Sequence, residues 1–208
     1  MEKTVHLTAQ RYLFFARWFS SKTTRENLED YLVFIQEHFP HQEGELLIKF
    51  KEVIKEWLNR EYIERELPRE YTKLFHLPEG IKPYESVYRG EEMRLMLDPW
   101  VEVRKFYSER GWYMENSDYP EDHVAVELSF MAHLLASEEW QDAQAFFLRH
   151  IINWMPHLME DLIAHVHAYY YRTVADFCLS FLELQKKYYQ ESNTSSITSF
   201  TRRETNFE

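Results

Sequence analysis

Four ionisable side chains fall within seven residues near the middle of this 208-residue chain: Glu121, Asp122, His123 and Glu127. Acids and an imidazole this close together can cap a helix, hold a metal or receive a cationic partner. Asp118 is placed to cap a helix with Pro120 in its first turn, where a missing N–H costs nothing. Glu121 and Asp122 would then lie at the positive end of the helix dipole. Val124, Leu128, Met131 and Leu135 recur at helical spacing and form an apolar stripe. His123 and Glu127, four apart, share a side beside that stripe, so Glu127 is expected to be the structural partner of His123. The pattern predicts a buried helix with acid and imidazole groups clustered in its first turns.

Catalytic chemistry finds little support. Di-metal helical bundles use Glu-x-x-His pairs, but Ile163 stands three places after Glu160 and Phe130 three places after Glu127. His165 and His167, two apart on a helix, point to different sides. A helical metal-dependent enzyme using the His- and Glu-rich residues 112–170 is therefore only the alternative reading, and no metal ligand is assigned. No Gly-x-Ser-x-Gly elbow occurs, and Cys178, within Ala175-Asp-Phe-Cys-Leu, lacks a helix-start or basic setting that would activate it. It reads as a small buried apolar residue. No Gly-x-x-x-x-Gly-Lys phosphate loop is present, so any nucleotide binding would be unconventional.

Charge is unevenly placed. The net charge is −11, yet residues 112–170 hold ten acids against the single base Arg149, and six of the ten histidines. Such a field repels nucleic acid and anionic lipid and attracts a basic partner. Only four glycines and seven prolines punctuate the chain, and no Asn-Gly or Asp-Gly hairpin signal appears; a sheet protein is excluded on those grounds. The lone Cys178 rules out an internal disulfide and points to a reducing compartment. No apolar run approaches the ~20 residues that span a bilayer, and no secretory signal opens the chain, so a cytoplasmic location without membrane insertion is expected.

The elements that must position these residues are all helical. Periodicity predicts helices over residues 7–20, 25–38, 45–62, 67–75, 91–109, 120–136, 139–154, 156–170 and 173–190. Residues 77–90, with two prolines and two glycines, form the only long irregular connection. The fold class is therefore all-α: a single helical domain over residues 1–190, made of two helical subsets joined by a hinge at 77–90. Residues 191–208 are rich in Ser, Thr and Asn and are expected to be a flexible tail. The pair Arg202-Arg203 in that tail lacks the apolar stretch of an export signal and reads as solvated charge.

Pro120-Glu-Asp-His-Val-Ala-Val-Glu-Leu-Ser-Phe-Met resembles the central motif of the TorD/DmsD/NarJ-type chaperones, which mature molybdopterin oxidoreductases in the cytoplasm. Pro83-Tyr-Glu-Ser-Val-Tyr88 is similar to that family's aromatic segment at the hinge. Val103-Arg-Lys-Phe-Tyr-Ser-Glu-Arg-Gly-Trp112 resembles its helix leading to the central motif, and residues 146–156, with His150 and Trp154-Met-Pro156, resemble a fourth element. Four elements in order cover residues 83 to about 185; the first eighty match only in helical character. The spacing of Pro120 and Asp122 departs from some subfamilies, so it selects no client.

The resemblance implies a TorD-like helical chaperone without catalytic residues. Its partners would be the twin-arginine signal peptide and the apo form of a molybdopterin oxidoreductase catalytic subunit, held back from export while cofactor is loaded. It implies no resident cofactor, with transient contact to the molybdopterin cofactor or weak guanine nucleotide binding as family traits. It also implies a monomer or a dimer that exchanges halves at the hinge. The signal-peptide-binding residues it points to are Tyr84, Tyr88, Trp112, Tyr119, Asp122, His123, Glu127 and Trp154. The residues themselves are compatible with that role. Guanidinium forks match carboxylates, and a groove between helices is an established way to hold a helical segment. An acidic segment with Trp112, Tyr113, Tyr119, Phe130 and Trp154 in or near it offers both ingredients. Capping by Asp122 and packing by Tyr84, Tyr88, Trp112, His150 and Trp154 are the plainer readings of the same residues, and the two roles are not exclusive. A buried imidazole held by Asp122 or Glu127 would also fix the groove wall.

Overall fold

The computed structural model describes residues 2–20, 22–39, 44–90, 98–114 and 118–204. Among them run ten α-helices, one 3-10 turn and no strand. The helices are α1 (Glu2–Ser20), α2 (Arg25–His38), α3 (Glu45–Leu58), α4 (Ile63–Phe75), α5 (Glu85–Arg89), α6 (Asp98–Ser108), α7 (Val124–Ala136), α8 (Trp140–Arg149), α9 (Met155–Ala164) and α10 (Tyr171–Glu204). The all-α class is as the periodicity predicts. Residues 91–97, expected to open the 91–109 helix, lie outside the described residues.

Helix ends are set by side chains as much as by propensity. Thr24 and Asn27 form a reciprocal capping box at the start of α2: Asn27 N donates to Thr24 Oγ1 at 3.3 Å, and Thr24 N donates to Asn27 Oδ1 at 3.0 Å. Arg11 donates from Nε and Nη2 to the carbonyl of His38 at 2.9 and 2.6 Å, closing the far end of α2. Arg25 does the same for α3 through the carbonyls of Leu58 and Arg60. Gly80 lets the chain turn back on α4: a Cβ there would meet the Leu74 carbonyl oxygen at 2.5 Å, and Ile81 N donates to that same oxygen at 2.7 Å.

Several boundaries differ from the periodic expectation. The helix α7 starts at Val124, not in the region of Pro120, and its N-cap is His123 rather than Asp118. The expected 156–170 helix stops at Ala164. Glu70 of α4 accepts from the amides of Tyr170 and Tyr171 at 2.8 and 2.9 Å, which fixes the start of α10 from a hundred residues away. Burial pushes the Glu70 carboxyl up to about 7, against the pull of those amides. At its other end α10 continues past Gln190 to Glu204; the stretch contains no glycine or proline to stop it.

The two subsets do not pack as separate layers. The helix α1 lies along α7, and α10 lies against both α9 and α3. Phe50 of α3 stacks on Phe177 of α10 at 4.8 Å, and Trp18 of α1 sits 5.0 Å from Tyr170. One continuous aromatic and aliphatic core results. At its centre α7 is buried on nearly every side, including Val126, Phe130 and Leu134 outside the predicted stripe. That is what a helix apolar all round requires.

Candidate functional site

The 77–90 connection is not a free strap. Its last part meets the start of α7 in the structure's isolated antiparallel bridge, Tyr84 with His123. Glu85 N donates to the Asp122 carbonyl at 2.9 Å, and Val124 N donates to the Pro83 carbonyl at 3.0 Å. Asp122 then reaches across the seam: its Oδ2 accepts from Ser86 N at 3.0 Å. The carboxylate expected at the first turn of its own helix instead caps α5, which sequence neighbours could not foretell. Glu121 leaves the helix as well, accepting from Trp100 Nε1 at 2.7 Å and facing Arg104 at 3.5 Å.

His123 takes the capping role. Its Nδ1 accepts from Ala125 N at 3.2 Å, and the side chain is 2 % exposed. Burial holds the imidazole down at about 3, so it is neutral and able to accept at ordinary pH. Tyr119 stacks on it at 4.0 Å with ring planes 14° apart, and Tyr84 approaches edge-on at 5.1 Å. The Tyr119 hydroxyl donates to the Ser20 carbonyl at 2.8 Å and lies 3.3 Å from the Tyr71 hydroxyl. This stack therefore bolts the seam to α1 and α4.

The expected His123–Glu127 pairing does not occur. Glu127 accepts from Trp154 Nε1 at 3.0 Å. Its carboxyl is held well above the usual range, first by desolvation and then by the neighbouring carboxylates of Glu85 and Asp122. Asp122 is raised too, by burial, with the Ser86 hydrogen bonds pulling the other way. Glu85 is fully buried and bonds in two directions, to His150 Nδ1 at 3.1 Å and to the guanidinium of Arg89. Arg89 spans from that buried acid out to Glu102, 3.5 Å from its Nη2. The helices α5, α7 and the turn before α9 thus bring three buried carboxylates, one buried imidazole and one guanidinium into a single network.

Not all the sequence-predicted residues share this place. Asp122, His123, Glu127 and Trp154 are buried. Tyr84, Tyr88 and Tyr119 are half-buried around them; Tyr88 packs 5.7 Å from Trp154 and donates to Asp161 at 2.8 Å. Trp112 lies elsewhere, packed on Phe130 and Tyr107 and lining a cavity of about 420 Å³ with Tyr113, Met114, Arg104, Lys105 and Glu121. An open trough uniting acids and rings beside His123 was the expectation. Instead the acids are internal, and the aromatic cavity carries two cations. The acidic segment is also divided: Asp142 pairs with Arg110 and Glu160 lies beside His157, while Asp118, Glu138 and Glu160 are exposed.

Glu85, Arg89 and His150 were missed as site residues. The signal in the sequence is Glu85 itself, an acid set between the two tyrosines of Tyr84-Glu-Ser-Val-Tyr88. Among the described residues, no three His, Cys, Asp or Glu side chains are arranged to hold a metal ion. Among those same residues, no helix is long and apolar enough to cross a membrane.

Comparison with known proteins agrees on one family. The family model described as the nitrate reductase delta subunit matches residues 36–160. The chain is 26% identical over 144 residues to the chaperone protein TorD of Vibrio parahaemolyticus, covering 62% of this chain and 67% of that one. To TorD of Aliivibrio salmonicida it is 24% identical, covering 86% and 93%. Among solved structures it resembles a protein from Archaeoglobus fulgidus described as a candidate redox enzyme maturation protein, with a TM-score of 0.53 at 22% identity over 88% of this chain and 94% of that one. The matched region contains α4 through α8, the whole bridge between Tyr84 and His123, and Trp154, so the chain belongs to the nitrate reductase delta subunit family, the TorD/NarJ-type chaperones, and is a chaperone rather than an enzyme.

Proposed function

We propose that this protein binds the twin-arginine signal peptide of a molybdopterin oxidoreductase subunit, in the cytoplasm, and holds the apo form while its cofactor is loaded before export. The observation that carries the reading is the meeting of Glu85, Asp122 and Glu127, all fully buried, at a seam walled by Tyr84, Tyr88 and Tyr119. Buried acids are costly without cationic or hydrogen-bonding partners. A guanidinium supplies both charge and a two-pronged donor set. The rings flanking the seam suit the apolar helical stretch that follows the arginines in such a leader. Asp122 and His123 serve this role through the seam they build, and capping is the means by which they build it.

Calorimetric titration with a synthetic leader tests the proposal. A peptide carrying Arg-Arg is expected to bind about tenfold or more tightly than the same peptide carrying Gln-Gln, since each guanidinium loses a charge-assisted pair. Its affinity should fall as salt rises, because screening weakens the approach of a cation to an acidic protein. Equal affinity for the two peptides would overturn the assignment of the acids to the arginines.

A further inference from the structure

The carboxylates at the seam are not vacant: one of them already holds a guanidinium from its own chain. Arg89 is the last residue of α5 and the cation in contact with Glu85. Glu85 is fully buried, while Arg89 keeps about a quarter of its side chain exposed and reaches Glu102 at the surface. The line Glu127, Glu85, Arg89, Glu102 thus runs from the core to solvent, with the arginine at the outlet.

Inside that outlet the network is incomplete. Asp122 Oδ1 and His150 Nε2 are buried and have no hydrogen-bond partner among the described residues, while Glu127 is engaged by Trp154 and by a side-chain hydrogen bond with Glu85. Two orphaned polar atoms on fully buried side chains mark unmet bonding capacity, which native cores rarely leave. The element beside them is held from outside: Tyr88 donates to Asp161 at 2.8 Å, and Glu85 bonds His150 at 3.1 Å. The helix α5 is only five residues long, and its start depends on the Asp122 carboxylate bonding Ser86 N and on the bridge at Tyr84. A helix this short has almost no stability of its own.

We infer that Arg89 is an internal stand-in for a partner's guanidinium, so that its side chain acts as an autoinhibitory plug that a client arginine displaces from the buried Glu85. This rests on the reading of the seam as the site for a guanidinium-bearing leader and adds how access to it is controlled. While Arg89 occupies Glu85, only the fraction of molecules with the Arg89 side chain turned away can accept a client, and the observed affinity is reduced by that fraction. The client's first arginine takes the place of Arg89 on Glu85, and its donors reach the orphaned oxygen of Asp122. Arg89 swings out to Glu102, which already touches its other nitrogen.

The test is titration of the full chain with the Arg-Arg peptide, comparing wild type with Arg89→Met and with Glu102→Gln, each checked for folding by circular dichroism and thermal melting. Arg89→Met keeps the packing of the side-chain stem and removes the competitor; it should bind about tenfold more tightly. Glu102→Gln leaves the buried acids untouched but removes the outer anchor of a displaced Arg89, so it should bind more weakly than wild type. A folded Arg89→Met protein with unchanged or weaker affinity, beside a wild type that binds, overturns the plug alone. If Arg89→Met fails to fold, an unchanged affinity in Glu102→Gln overturns it instead. Absence of binding in every form overturns the seam as the arginine site and the plug with it. Binding by Arg89→Met where wild type binds nothing would support both.

Discussion

Trp154→Ala is expected to lower stability by about 4–5 kcal/mol, among the largest single losses this fold can show. The ring is fully buried and packs beside Tyr88, and truncating a buried Trp to Ala costs about 3–5 kcal/mol through lost transfer energy and the cavity left behind. A second loss adds to the first, because Glu127 accepts from Trp154 Nε1 at 3.0 Å deep in the core. Removing that donor strands a buried acceptor, worth about 1–3 kcal/mol. Trp154→Phe separates the two contributions, since it keeps most of the volume and discards the donor; about 2 kcal/mol is expected. Urea unfolding measures both, with an unchanged denaturant slope if the folded state stays compact. A Phe variant within about 0.5 kcal/mol of wild type would mean the indole N–H contributes nothing to holding Glu127.

His123 is expected to make the protein acid-labile. Its folded value near 3 lies below the ordinary imidazole value of 6.5. The unfolded chain therefore takes up a proton below about pH 6.5 that the folded chain refuses until near pH 3. Stability from this group is complete above pH 6.5 and is lost as pH falls through that window, by about 3 kcal/mol between pH 7 and pH 4. Glu70 acts in the opposite sense. Its raised carboxyl, near 7, gains stability as pH falls from 7 toward 4.5. Wild type alone would thus blend opposed trends, and the informative quantity is its difference from His123→Asn. Asparagine can accept from Ala125 N as an N-cap, but it forfeits the stack on Tyr119. The variant should be about 1 kcal/mol less stable at pH 7 and more stable than wild type by pH 4. A difference that does not change with pH would show that His123 is not held neutral in the fold.

The helical class was readable from the sequence because apolar spacing is a local property. So was the whole of α2, whose Arg25–His38 span matches the periodic expectation and whose Thr24–Asn27 capping box lies within four residues. The sequence points to Tyr84, Tyr88, Tyr119, Asp122, His123, Glu127 and Trp154 but not to Glu85, Arg89 or His150 as site residues, and it does not show how they connect. Asp122 serves Ser86, 36 positions away; Glu85 meets His150 across 65; Glu127 meets Trp154 across 27. Helical spacing offered His123 as a partner for Glu127, but α7 begins one residue after His123, so the two never share a helical face. Charge counting failed for a related reason. A run of acids says nothing about which of them fold inward, and Asp122 and Glu127 did. Trp112 was grouped with them by proximity in sequence, whereas packing on Phe130 and Tyr107 carries it to the cavity beside Arg104 and Lys105.

Amide hydrogen exchange, followed residue by residue with and without an Arg-Arg leader peptide, addresses the seam most directly. Ser86 N is bonded to the Asp122 carboxylate, Glu85 N to the Asp122 carbonyl and Val124 N to the Pro83 carbonyl. Peptide binding should speed exchange at Ser86 and its neighbours in α5, as Asp122 and Glu85 turn to the incoming guanidiniums. Unaltered exchange over residues 83–89 and 122–127, with protection appearing on some other surface, would contradict the placement of the client at this seam.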